Sequence, residues 1–225
     1  EIRDTFYSGF SVGWTWGYGR SLATNNLIAG NYVHQIGQGA LCDMGGIYTL
    51  GISPGTRITG NYFSDIEGWE YGGWGLYTDE GSTGIEMTSN VVVRTSCRKR
   101  PAGGGGFHQH YGATNLVAYN CLADAGGPQV QATRVENHLS FTLRENTIVN
   151  GAAPALGGTW NPVGPWDKIQ VRSEGNRFFC GVTNGYAGKT FAAWQAVVKD
   201  SGSTALERAP ATPKPPRLRV GPGWL

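Results

Sequence analysis

Charge of either sign is sparse in this 225-residue chain: 18 Lys and Arg stand against 16 Asp and Glu, for a formal net charge of +2. So flat a balance gives no electrostatic preference for nucleic acid or for an anionic membrane, and neither is an expected partner. The one basic cluster, Arg98-Lys99-Arg100, reads more simply as a solvated loop. No apolar run is long enough to span a bilayer. The four cysteines, Cys42, Cys97, Cys121 and Cys180, lie far apart with no Cys-x-x-Cys pair, which removes the zinc and dithiol redox signatures. Their spacing leaves free thiols and disulfides equally open. There is no Asn-x-Ser/Thr sequon, and no dense Asp/Glu set of the kind that holds Ca²⁺. No metal and no cofactor is expected. Also missing are amphipathic stretches of period 3.6, which excludes a solenoid of helix pairs.

What the chain does contain is a period. Asn31, Asn61, Asn90, Asn120, Asn146 and Asn176 follow one another at gaps of 30, 29, 30, 26 and 30 residues. Each has an apolar residue two places later, and the first five have one three places earlier. Those two positions are five apart, so on one flat strand they would face opposite sides. If both point inward, the chain turns at the Asn and resets its alternation. Asn suits a corner because it tolerates left-handed φ and its amide bonds to backbone. Stacked coils would bring the amides into register as a ladder. Short β-rich runs such as Arg57-Ile58-Thr59 and Val91-Val92-Val93, broken by glycines, fill the repeats, and Gly makes up 36 residues. The pattern predicts an all-β, single-stranded parallel β-helix of about six to seven coils.

The expected domain is 1–203, closed by a capping helix at about 190–199. Thr190 is placed to cap that helix, with Phe191, Trp194 and Val198 on one face. Residues 204–225, basic and Pro-rich, read as an irregular or disordered tail. The chain opens at Glu1 without Met or a leader, and its first rung follows with no segment that reads as a cap. It is therefore expected to be part of a longer protein.

Aligning the rungs gathers the polar residues. Gly46-Ile47-Tyr48-Thr49-Leu50 matches Gly75-Leu76-Tyr77-Thr78-Asp79 and Gly106-Phe107-His108-Gln109-His110. Ile47, Leu76 and Phe107 should point into the core. Alternation then sends Tyr48, Tyr77 and His108 outward in one row, and Leu50, Asp79 and His110 in a second. A carboxylate, two tyrosines and two histidines on one face make a polar-aromatic patch. An outward Asp is often only solvated, and a Tyr pair often only covers core. The density here, with Asp43 one rung earlier, favours an enzyme groove.

The strings Ser11-Val12-Gly13-Trp14-Thr15-Trp16-Gly17-Tyr18-Gly19, Asp43-Met44-Gly45-Gly46-Ile47-Tyr48-Thr49-Leu50-Gly51, Tyr71-Gly72-Gly73-Trp74-Gly75-Leu76-Tyr77-Thr78-Asp79-Glu80-Gly81-Ser82 and Gly106-Phe107-His108-Gln109-His110-Tyr111-Gly112 carry a resemblance. So do Arg134-Val135-Glu136-Asn137-His138-Leu139-Ser140-Phe141-Thr142 and Phe191-Ala192-Ala193-Trp194-Gln195. Over roughly residues 8 to 203 the chain resembles right-handed parallel β-helix glycoside hydrolases, in particular glycoside hydrolase family 141, which contains α-L-fucosidases and xylanases. Such proteins are usually longer, and the match is to their C-terminal half.

The resemblance implies hydrolysis of a xylan or an α-L-fucoside by two acidic residues, carried over to Asp43 and Asp79 with Glu80 in reserve. One carboxyl group must be protonated and the other ionised. Trp14 and Trp16 are expected as sugar platforms, although both also suit a core. Tyr48, Tyr77, His108 and His110 are expected around the acids. Arg134, Glu136 and His138 would bind hydroxyls, or pair with one another on a solvated face. The implied partner is a carbohydrate and the implied location secreted, periplasmic or extracellular. Oligomeric state is not encoded.

Rung spacing of about 4.8 Å resembles the ~5–5.5 Å carboxyl separation of retaining enzymes. Asp43 aligns with Gly72, not with Asp79, so retention and inversion both stay open. Against the resembled family's short turn, the stretch from Cys97 to Gly105 is longer, and, preceding His108, it is expected to reshape that side of the cleft. The alternatives are a polysaccharide lyase or epimerase on the same fold, with Arg134 as base, and a non-catalytic carbohydrate-binding β-helix.

Overall fold

The computed structural model describes residues 1–134, 136–157 and 171–216. Three parallel sheets form the sides of a β-helix of six rungs. In each rung the chain runs along sheet three (for example Leu27–Ala29), turns at the Asn, and enters sheet one (Tyr32–Ile36). It then bends into sheet two (Met44–Thr49) and returns to sheet three at Arg57–Thr59. Sheet one has eight strands because Ile2–Arg3 and Thr204–Ala205 extend it at either end. The stacking register follows the asparagines: Val33 pairs Phe63, Phe63 pairs Val92, and Val92 pairs Leu122.

The ladder is continuous. Asn90 is fully buried, and its Nδ2 donates to Asn120 Oδ1 at 3.0 Å and to Ile58 O at 2.9 Å. Its backbone N–H donates to the same Asn120 Oδ1 at 2.9 Å. Its own Oδ1 accepts from the N–H and Nδ2 of Asn61 at 3.0 and 2.9 Å. The arrangement repeats through Asn146 to Asn176, whose N–H then donates to Ser203 Oγ at 2.8 Å. Ser203 is thus the last step of the ladder.

The left-handed residue at this corner is not the Asn, as its conformational tolerance suggested, but the residue before it. Gly30, Gly60, Ser89, Tyr119, Glu145 and Gly175 all have φ between 53° and 66°. The Asn is needed for its amide. A Cβ at Gly30 or Gly60 would meet nothing within 4 Å, so larger side chains enter the same column elsewhere at only the backbone cost. Both flanking apolar residues do face inward: Ile28, Ile58, Met87, Val117 and Leu143 on one side of the corner, Val33, Phe63, Val92, Leu122 and Ile148 on the other, all in one core. Each full burial of this kind contributes about 1.5–3 kcal/mol.

Sheet two makes room for that core with glycine. A Cβ at Gly46 would lie 2.6 Å from Phe63 Cδ1, and one at Gly75 2.1 Å from Val92 Cγ1. The Gly before each Ile47- or Leu76-type residue therefore lets sheet one close on sheet two, which explains the recurrent glycine in the aligned strings.

At the C-terminal end the helix Phe191–Val198 lies over the last rung. Thr190 Oγ1 accepts from Ala193 N at 3.3 Å, and Trp194 is fully buried 5.3 Å from Phe178. The segment after Ser203 is irregular beyond Ala205 but is not free. Ala209 packs against Tyr62, Val93, Ala123 and Val149 on the outside of sheet one. Thr212 Oγ1 donates to Asp124 Oδ2 at 3.2 Å, and Pro213 O accepts from Tyr62 Oη at 2.9 Å. The tail is a strap running back along the stack. Its final part, 217–225, lies outside the described residues, as does Val135. Arg98 and Lys99 are exposed and pair with Glu67 and Glu70 of the preceding rung at 2.7 and 3.2 Å, the solvated account of the basic cluster. All four cysteines are free, and burial pushes the Cys97 thiol up to about 11.

Replacing Asn90 with Ala strands buried donors on Asn61 and a buried acceptor on Ile58. The expected loss is about 3 kcal/mol or more, given ~1–3 kcal/mol per unsatisfied buried group. Asn31→Ala, at the half-exposed end of the ladder, should cost much less. Equilibrium denaturation of the two variants measures the difference, and equal losses would show that the ladder is not what holds the rungs together.

Candidate functional site

Ile47, Leu76 and Phe107 lie in the core, so Tyr48, Tyr77 and His108 project from the outer face of sheet two. The register Ser11, Tyr48, Tyr77, His108, Gln131 is continuous. The row is outward, as alternation requires, but it is not exposed: Tyr48, Tyr77 and His108 are at most 2% accessible. A second aromatic layer covers it. Trp74 stacks on His108 at 3.9 Å and meets Tyr77 edge-on at 4.4 Å. Trp14 lies 5.8 Å from Tyr48 and Tyr7 lies 6.5 Å from it.

This layer aims the tyrosine hydroxyls at the carboxylates. Asp43 sits at the bend into sheet two with φ 58°, opposite Gly72 at φ 85°. Left-handed backbone at a non-glycine residue is uncommon and here turns the side chain toward the aromatic layer. Tyr77 Oη donates to Asp43 Oδ1 at 2.8 Å, and Tyr7 Oη donates to the Asp43 carbonyl at 2.7 Å. One rung on, Asp79 is buried and accepts from Tyr48 Oη. The Tyr48 and Tyr77 rings are 4.9 Å apart. Asp43 and Asp79 are therefore joined through a pair of touching tyrosines, although they are not in one row.

Burial raises the Asp43 carboxyl above its ordinary pKa; the Tyr77 hydrogen bond opposes this, and the charges of Asp79 and Glu80 reinforce it. Burial, then the neighbouring carboxylates, drives Tyr48 and Tyr77 well above the ordinary tyrosine value, so both hydroxyls remain donors. Glu80 is half-buried, accepts from Tyr111 Oη at 3.0 Å, and lies 3.6 Å from His110 Nε2. His110 Nδ1 is 2.8 Å from Thr133 Oγ1, which is 3.3 Å from His108 Nε2. Burial holds His108 well below the ordinary histidine value and lowers His110 against the pull of Asp79 and Glu80.

The remaining predicted residues flank this centre. Trp14 and Trp16 are about 60% exposed and edge-on to each other at 6.5 Å, so neither is core. The Arg134 guanidinium lies 4.1 Å above the Tyr111 ring. Glu136 accepts from Tyr18 Oη and is 3.3 Å from His138 Nε2. Four members were not anticipated: Tyr7, Tyr18, Tyr111 and Thr133. Tyr18 and Tyr111 stood inside the quoted motifs. Thr133 was legible by extending the row Leu50, Asp79, His110 one rung further. Tyr7 precedes the first asparagine of the ladder and left no periodic signal.

Comparison with family models, curated proteins and solved structures returned no similar protein. The site therefore stands on its own geometry. Among the described residues no group of three or more His, Cys, Asp or Glu is placed to hold a metal ion. A cavity of about 930 Å³ lies elsewhere, on the outside of sheet one around Gln35, Asp65, Arg94 and Asp124, and none of the predicted site residues lines it. Its central charges already satisfy each other, with Arg94 bidentate on Asp65 at 2.6 and 2.7 Å.

The raised Asp43 pKa means that the folded chain holds a proton there more tightly than the unfolded chain. Stability is therefore lost as pH rises from the ordinary carboxylate range through the folded value. Asp43→Asn, which keeps an acceptor for Tyr77, should raise the thermal midpoint at neutral pH. That gain should vanish below the ordinary carboxylate pKa. A gain that persists unchanged in acid would contradict the burial argument.

Proposed function

We propose that this chain is a glycoside hydrolase acting on a neutral glycan such as a xylan or an α-L-fucoside. The observation that carries the reading is the pair Asp43 and Asp79, coupled through Tyr77 and Tyr48, with burial raising the Asp43 carboxyl above its ordinary pKa. Hydrolysis of a glycosidic bond needs one carboxyl group that donates to the leaving oxygen and one that stays ionised. Burial of Asp43 fits the first role. Asp79, holding a tyrosine hydroxyl, fits the second, with Glu80 as the more accessible reserve.

Trp14 and Trp16, exposed beside Tyr48, offer flat apolar faces of the kind on which sugar rings stack. The carboxylates Asp43, Asp79, Glu80 and Glu136 outnumber the guanidinium of Arg134 in this region, which favours an uncharged sugar over a uronate. Arg134 lies over Tyr111, away from the Asp43–Tyr77 bond, so a lyase base at the acids finds less support.

Asp79→Asn and Asp43→Asn should each lower reducing-sugar release by ~10² or more, the usual scale of a lost acid or base. Trp14→Ala should act mainly on KM. A glycan-panel assay, read for reducing ends and for the ultraviolet absorbance of an unsaturated product, decides the class. Absorbance growth would replace hydrolysis by elimination, and glycan binding without turnover would make the chain a binding module.

A further inference from the structure

Three polar side chains from two neighbouring rungs, His108 and His110 on one and Thr133 on the next, form a line that the acid pair does not use. His108 Nε2 lies 3.3 Å from Thr133 Oγ1, Thr133 Oγ1 lies 2.8 Å from His110 Nδ1, and His110 Nε2 faces Glu80 Oε1 at 3.6 Å. All three are buried, at 0%, 1% and 8% exposure in that order of contact. We propose that Thr133 is a positioning residue of this site: its one hydroxyl links two imidazoles and sets the tautomer in which His110 presents Nε2–H to Glu80. The inference rests on the hydrolase reading for its consequence, though not for its geometry.

The direction of the line follows from donor counting. A threonine hydroxyl has one proton and can accept from one neighbour while donating to the other. His110 Nε2 points at a carboxylate, so the favourable state puts a proton on Nε2 and leaves Nδ1 as acceptor. Thr133 then donates to His110 Nδ1 and accepts from His108 Nε2–H. The opposite direction would place a bare nitrogen against the Glu80 oxygen. Donation to the His110 carbonyl, 3.5 Å away, is a longer alternative for the Thr133 proton than the 2.8 Å contact to Nδ1.

Burial favours the neutral form of both rings, the form in which tautomer matters. Around His110 the charged and titratable groups are Asp79, Glu80, Glu136, Arg134 and His108, with the Tyr111 ring 5.5 Å away. Tyr111 Oη already donates to Glu80 Oε2. A proton on His110 Nε2 turns a second N–H or O–H group toward the Glu80 carboxylate, from 3.6 Å. Thr133 touches neither Glu80 nor the substrate face; it acts through the imidazole.

The test is long-range ¹H–¹⁵N spectroscopy of the imidazoles in the parent chain, Thr133→Ser and Thr133→Val, with folding checked by circular dichroism. The parent and Thr133→Ser should show His110 as the Nε2–H tautomer. Thr133→Val, close to isosteric, should mix the tautomers. In the hydrolysis assay it should lower kcat roughly 10-fold or more, within the range for a disturbed acid–base group, with Ser restoring it. An Nδ1–H tautomer at His110 in the parent overturns the proposal, as does an unchanged tautomer in Thr133→Val. If Val does not fold, the parent and Ser spectra still decide. A parent chain that turns over no glycan ends the hydrolase reading without touching the spectroscopic result.

Discussion

The amide of one asparagine per rung is the interaction on which the rest depends. A β-helix must turn its chain inward at a corner where backbone donors and acceptors lose their sheet partners, and each unpaired group in a dry interior is costly. The Asn side chain meets that need in both directions along the stack. Its oxygen accepts from the rung before; its nitrogen donates to the rung after and to a carbonyl of the rung before. Because every amide is held by its neighbours, the rungs cannot slip by a residue without breaking the column. Register in all three sheets follows from that one column.

The site is a product of this register. Tyrosines one rung apart touch, and their hydroxyls reach carboxylates that belong to neighbouring rungs. Trp74, on the strand between two rows, serves both, stacking on His108 and donating its Nε1–H to Gln131 Oε1 at 3.2 Å. The acids thus sit in a preorganised aromatic frame rather than on mobile loops. Burial pushes Asp43 toward the neutral form and, with the neighbouring carboxylates, holds the tyrosines as donors.

Much of this was legible because a solenoid converts sequence spacing into spatial rows. The fold, the inward Ile47, Leu76 and Phe107 and the outward Tyr48, Tyr77 and His108 follow from period and alternation alone, and the capping helix from its Thr190 cap and its apolar face. Other features were not legible, for specific reasons. The left-handed residue at the corner precedes the Asn, and a column containing Gly, Ser, Tyr and Glu shows no common chemistry. The cover over the tyrosines comes from Trp74 on the same strands and from Trp14 and Tyr7 in the first rung, which alternation does not reveal. The link between Asp43 and Asp79 depends on a positive φ at a bend, and no periodicity records a dihedral angle.

The strap has a consequence for the whole molecule. A stack of rungs is coupled only between neighbours, so its ends can fray while its middle persists. Here Pro213 is bonded to Tyr62 across 151 residues of chain, and Thr212 to Asp124 across 88. The segment after the sixth rung grips the second and fourth rungs, over the outside of the same sheet that carries the asparagine corners. A linear array thereby becomes a closed circuit of contacts. Opening its second rung also means lifting the irregular strap that begins beyond the sixth, so events at the two are tied together.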